Sequence, residues 1–165
     1  MVEIFNRQSQ WIFLCIFLSF SVTAYGKDTM KTSVSLTAYN HTENGVGSYR
    51  VTLEDGASVG AGFLAPGGGG GGDTCCLSIP LVWKPGMRAT VIMETIKDGK
   101  NISVEQTVLV PQYSQEDVGR FVVHFLHDGS YKVFVTKYSL GHRKYPLSGK
   151  QAERRPGIPL EIIWE

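Results

Sequence analysis

Beyond its first 26 residues the chain alternates between apolar and polar positions. Val34, Leu36 and Ala38 interleave with Ser33, Ser35 and Thr37. Tyr49, Val51 and Leu53 interleave with Ser48, Arg50 and Thr52. A period of two places one set on each face of an extended strand, so these runs predict β-strands. Ala89, Val91, Met93 and Thr95 share a face, while Ile92 and Ile96 make that run apolar on both sides. Ile102, Val104, Val108 and Val110 form the next face, and Phe121, Val123 and Phe125 another. Tyr131, Val133 and Val135 follow, with Phe134 and Tyr138 opposite, and Leu160, Ile162 and Trp164 predict a last strand. No amphipathic helix of useful length interrupts them. A short helical turn is expected over 114–118, where Ser-Gln-Glu-Asp resembles a helix start.

The punctuation agrees with strands. Asn44-Gly45, Asp55-Gly56, Asp98-Gly99 and Asp128-Gly129 each fall between two runs. Asn-Gly and Asp-Gly tolerate the positive φ that tight hairpins need, so antiparallel neighbours are expected. The expected class is all-β: an antiparallel β-sandwich, immunoglobulin-like or similar, in preference to a small open barrel. The preference rests on Ala89 to Met93, which reads as buried on both faces.

The first 26 residues differ. A polar start carrying Arg7 precedes an apolar run from Trp11 to Val22, followed by small residues around Ala24 and Gly26. The run has the length of a signal-peptide core and is short for a membrane span. The expected organisation is a signal segment over 1–26 and one domain over 27–165, acting outside the cytoplasm. Membrane contact is expected only through that segment, should it remain uncleaved as a short anchor. Cys15 follows Leu14 in mid-run, a poor place for lipidation.

Composition narrows the chemistry. The 165 residues are 42% hydrophobic and carry a net charge of +1, so no global field invites nucleic acid. Six of the nineteen glycines form the run Gly67 to Gly72. A phosphate-cradling loop would end in Gly-Lys-Ser/Thr, but this one ends in Asp73-Thr74-Cys75-Cys76. Asp73 would repel a phosphate. The favoured reading is a flexible surface loop, the alternative a mobile loop that closes over a partner. Once the leader is removed, Cys75 and Cys76 are the remaining cysteines. In an oxidising compartment they form a vicinal bridge, pair between chains or stay free on opposite faces of a strand; the residues leave this open. Neighbouring thiolates are poorly placed to share one metal ion.

Four histidines occur: His41, His124, His127 and His142. On a strand His124 and His127 point to opposite faces, which disfavours a shared metal; His124 reads as a surface or inter-strand residue. No Gly-x-Ser-x-Gly elbow is present, Ser148-Gly149-Lys150 lacks Ser-x-x-Lys spacing, and the carboxylates Glu94, Glu105, Glu116 and Asp117 read as surface charges. A non-enzymatic protein without cofactor or metal is expected. Asn40-His41-Thr42 and Asn101-Ile102-Ser103 match the glycosylation triplet. The stretch from Leu140 to Pro159 has little strand character and is basic, with Arg143, Lys144, Lys150, Arg154 and Arg155 against Glu153.

An ordered set of segments carries a resemblance. It comprises 34–42 (Val-Ser-Leu-Thr-Ala-Tyr-Asn-His-Thr), Gly45-Val-Gly-Ser-Tyr49, the Pro-Gly run, Cys75-Cys76, Ile79-Pro80, Trp83-Lys-Pro-Gly86, Val110-Pro111, Val123-His-Phe-Leu126 and Asp128-Gly129. Over roughly residues 34–135 the chain resembles a family of small exported proteins of Gram-negative bacteria, formally a domain of unknown function. Many members are lipoproteins. Some act as periplasmic immunity proteins to type VI secretion phospholipase effectors. The resemblance implies a periplasmic protein that binds and neutralises a secreted lipase; it brings no catalytic residues. Trp83, ahead of Pro85-Gly86, reads as a core-facing aromatic before a turn. The expected contact residues are Gly69, Gly70 and Asp73, beside Cys75-Cys76, and Arg143, Lys144, Arg154 and Arg155, on stretches expected to protrude. A structural envelope protein, or a small-ligand or metal binder, is the alternative.

Overall fold

The computed structural model describes residues 30–70 and 73–155. The signal segment and the strand expected over 160–164 lie outside the described residues. Among the described residues eight strands form: β1 (Lys31–Asn40), β2 (Ser48–Leu53), β3 (Ser58–Ala61), β4 (Thr74–Pro80), β5 (Arg88–Lys97), β6 (Lys100–Leu109), β7 (Arg120–Phe125) and β8 (Tyr131–Thr136). They build two four-stranded sheets, ordered β4-β1-β7-β8 and β3-β2-β5-β6. The protein is all-β, and the two sheets pack as a β-sandwich. The expected turn at Ser114 is a short 3-10 segment, Gln115–Asp117.

Three of the four turn signals make hairpins. At Asp98-Gly99 both residues have positive φ, 52° and 72°, joining β5 to β6 as a tight primed turn does. Asp55-Gly56 joins β2 to β3, and Asp128-Gly129 joins β7 to β8. Asn44-Gly45 does not make a hairpin, because β1 and β2 lie in different sheets. The side chain of Asn40, fully buried, holds this crossover. Its Nδ2 donates to Asn44 O (2.7 Å) and Ala65 O (3.2 Å), and its Oδ1 accepts from Thr42 N (3.0 Å) and Thr42 Oγ1 (2.8 Å). This burial also removes Asn40 as a glycan acceptor, whereas Asn101 is exposed.

The sheets are not wholly antiparallel. β1 runs parallel to β7, with Leu36 opposite Phe121 and Ala38 opposite Val123. Hairpin signals predict only sequence neighbours, so they are blind to a pair more than eighty residues apart. Between the sheets lie Val34, Leu36, Leu77, Ile79, Phe121, Val123, Phe125 and Val133 on one side. Tyr49, Val51, Leu53, Ala89 and Val91 meet them from the other. Fully burying each aliphatic or phenyl group contributes about 1.5–3 kcal/mol. Trp83 is half-buried against this core, its Nε1 donating to Val110 O (2.9 Å).

β7 rather than β5 is buried on both faces, as is the upper half of β1. In β5, Thr90 and Ile92 are only half-covered. In β7, Phe121 to Phe125 are all buried. The cover on its outer face is the basic segment, which folds back over the first sheet. Leu140, Tyr145, Leu147 and Ala152 pack there on Tyr39, Val122, Leu126 and Phe134. Residues 138–155 therefore form a strap rather than a protruding loop. Burying those apolar side chains drives the docking, and the Arg and Lys heads stay in water.

Candidate functional site

The strap covers a buried polar chain. Strand β1 carries Tyr39 on the outer face and leads into His41; β7 carries His124 on that same face. The rings of His41 and His124 are at most 1% exposed. His41 Nδ1 lies 2.7 Å from Glu153 O, His41 Nε2 lies 2.8 Å from His124 Nδ1, and His124 Nε2 lies 2.7 Å from Tyr145 Oη.

With both rings kept neutral by burial, one end fixes every proton. A backbone carbonyl only accepts, so His41 Nδ1 carries the hydrogen and donates to Glu153 O. The neutral ring then offers its Nε2 lone pair, which accepts from His124 Nδ1–H. His124 Nε2 is left as an acceptor, and Tyr145 donates its hydroxyl to it. Both imidazoles are neutral and both are Nδ1–H tautomers. The electrostatics agree. Burial lowers the His41 pKa below the ordinary 6.5, and His127 and Arg154 lower it further, against the Glu153 carbonyl, which raises it. Burial pushes His124 well below that value, helped by His41 and Lys132. Burial also raises Tyr145, keeping its hydroxyl protonated. Tyr39 stacks on His124 with ring centroids 5.1 Å apart, and Tyr145 meets His124 edge-on.

Residues 67–70 of the glycine run are not a free loop. They continue the β4 side of the first sheet along the upper half of β1. Asn40 N donates to Gly68 O (2.8 Å) and Gly70 N to Ala38 O (3.0 Å). Glycine is needed for close approach: a Cβ on Gly70 would stand 2.5 Å from the Tyr39 ring, and Gly69 sits at φ 128°. Asp73 is exposed and accepts from Ser35 Oγ (3.0 Å) at the bulge where β1 shifts register against β4.

The expected contact residues fall into groups. Arg154 and Gly69 come together: Arg154 Nη2 approaches Gly69 O at 3.4 Å, with its guanidinium 5.4 Å over the Tyr39 ring. Arg155 joins them, since a Cβ on Gly67 would lie 2.9 Å from its Nε. Arg143 and Lys144 sit on another turn of the strap; both are exposed, and Lys144 Nζ lies 5.7 Å over Tyr138. Cys75 and Cys76 are a vicinal pair on β4, sulfur against sulfur, joined by a cis peptide with Cα atoms 3.1 Å apart. Both are exposed, so neither lies on a buried face.

His124 is a correction: it is not a surface residue but the centre of the chain. The alternation of β7 does put it opposite Phe125, yet nothing local says that this outer face is covered. Among the described residues no three His, Cys, Asp or Glu side chains gather as metal ligands, and no helix is long and apolar enough to cross a membrane.

Fold and site define a β-sandwich protein whose outer face is closed by a basic strap over a His–His–Tyr chain. The chain belongs to the family of proteins of unknown function DUF3304, whose profile matches residues 39–133. That span begins at Tyr39 and includes His41, the glycine run, the cysteine pair and His124, while the strap lies beyond it. No curated protein and no solved structure matches the chain.

Proposed function

We propose that this is a non-enzymatic, exported protein-binding module, an immunity protein that neutralises a secreted lipase toxin in the periplasm. The observation that carries the reading is the meeting of two stretches far apart in sequence. Arg154 packs on Gly69 and Tyr39, so the glycine edge and the strap present one continuous surface. Its charge is one-sided: residues 137–155 hold six Lys and Arg against Glu153 alone. The surface is preorganised, because close glycine packing and the buried histidines hold it in place, which lowers the ordering cost of binding. A basic patch of this kind suits an acidic rim around a toxin's active-site cleft and accelerates encounter.

Co-expression with a candidate secreted lipase toxin tests the proposal. The complex should co-purify, protect cells from periplasmic lipase, and weaken with salt. Reversing Arg143, Lys144, Arg154 and Arg155 to glutamate should slow association by about tenfold or more. A wild-type protein that neither co-purifies nor protects overturns the immunity reading.

A further inference from the structure

Among the hydrogen bonds that hold the strap, the one from Tyr145 to His124 has a direction set by the protonation of the histidine pair. All four ring nitrogens of His41 and His124 are occupied, in a single direction, from Tyr145 to Glu153 O. A further proton finds only lone pairs that already accept a hydrogen bond. Placed on His124 Nε2, it turns Tyr145 from donor to acceptor and leaves that hydroxyl hydrogen without its partner. Placed on His41 Nε2, it sets two N–H groups face to face across 2.8 Å, unless His124 moves its hydrogen to Nε2, with the same consequence at Tyr145.

The surroundings oppose the charge as well. Lys132 on β8, His127 after β7 and Arg154 on the strap each act on the pair against further positive charge. Tyr39 from β1 and Tyr145 from the strap offer ring and hydroxyl, and Glu153 is the acid of the strap itself. We propose that the strap is a proton-operated latch: uptake of protons by His41 and His124 releases residues 138–155 and uncovers the apolar face of Tyr39, Val122 and Phe134.

The direction follows from linkage. With the strap open, both rings reach water and titrate near 6.5, above their values in the closed state. Closure is therefore fully favoured above about pH 6.5 and weakens as pH falls below it. Up to two protons enter on opening, so the opening constant rises as pH falls, by at most about 100-fold per pH unit well below that point. The latch rests on the chain's own geometry, and its test uses no partner, so it stands or falls apart from the proposed function.

Two measurements on the purified protein decide it. Nitrogen NMR of the imidazoles at about pH 7.5 should show both buried rings neutral and as Nδ1–H tautomers. Hydrogen exchange then compares the strap amides of Leu140 and Tyr145 with amides of β5, corrected for intrinsic rates. From about pH 6.5 to about pH 5 the strap should lose protection relative to β5, ever more steeply and by at most about 100-fold per unit. His124→Gln should cut the dependence to at most about tenfold per unit, and Tyr145→Phe should lower strap protection at neutral pH. A constant strap-to-β5 ratio across the range overturns the latch. So do Nε2–H tautomers, or imidazolium rings beneath a closed strap, observations on the wild type that need no variant to fold.

Discussion

Replacing Gly69 by alanine tests whether the glycine run is a built part of the sheet. Gly69 pairs with Tyr39 of β1 at φ 128°, a conformation closed to residues with a side chain. An added Cβ would press on Ala38 O and lie 2.7 Å from Tyr39 Cα. Both are backbone atoms of β1, whose other edge is tied to β7, so neither can retreat. The backbone strain costs about 1–3 kcal/mol and the overpacking about 1–3 kcal/mol, together about 2–6 kcal/mol. That is a large share of the 5–15 kcal/mol or so that holds a domain folded. In urea, with a slope near 2 kcal/mol per M, the midpoint should fall by about 1 M or more. Gly62→Ala is the matched control: Gly62 is exposed, and nothing lies within 4 Å of a Cβ placed there. It should be neutral or stabilising by up to about 1 kcal/mol. If Gly69→Ala unfolds within about 0.5 kcal/mol of wild type, the run is as loose as its composition suggests and the structural argument fails.

Asn40→Ala should cost about 2–4 kcal/mol in the same titration, because it strips partners from Thr42, Asn44 and Ala65 at once, and a loss under 1 kcal/mol or so would contradict that pinning role. The vicinal pair closes a loop of no length, so Cys75→Ser with Cys76→Ser should shift stability by no more than about 0.5 kcal/mol; intact mass before and after reduction reports whether the pair is oxidised. The Lys31 ammonium, 2.8 Å away, and Ala57 N hold the Asp55 carboxyl below its usual range. Its contribution is therefore present above about pH 3.8 and lost as pH falls below it. Because both groups are well exposed, Asp55→Asn should cost only about 0.5 kcal/mol at neutral pH, less in high salt.

Six of the eight strands could be read from alternation, because period and turn chemistry act between residues two to four apart. Tyr131, Val133 and Val135 do face the core with Phe134 and Tyr138 opposite, as their spacing says. β3 escaped because Ser58–Ala61 is short and built of small residues. β4 was ambiguous because the cysteines and Ser78 break the alternation. Asn44-Gly45 misled because the same dipeptide serves a hairpin or a crossover, and only the sheet order separates the two.

What the chain alone determined was the all-β class, the main strands and their inward faces, since each follows from neighbours in sequence. Tertiary structure decided which outer face is covered. His41 meets Glu153 across a separation of 112 residues and His124 across 83. Gly69 meets Arg154 across 85. No local pattern encodes such pairings: burial of Leu140, Tyr145 and Leu147 brings the strap down, and only then do two ordinary histidines lose water and find each other. The basic residues were visible from the start, but that they sit on a docked strap above a proton-sensitive chain is a property of the packed molecule.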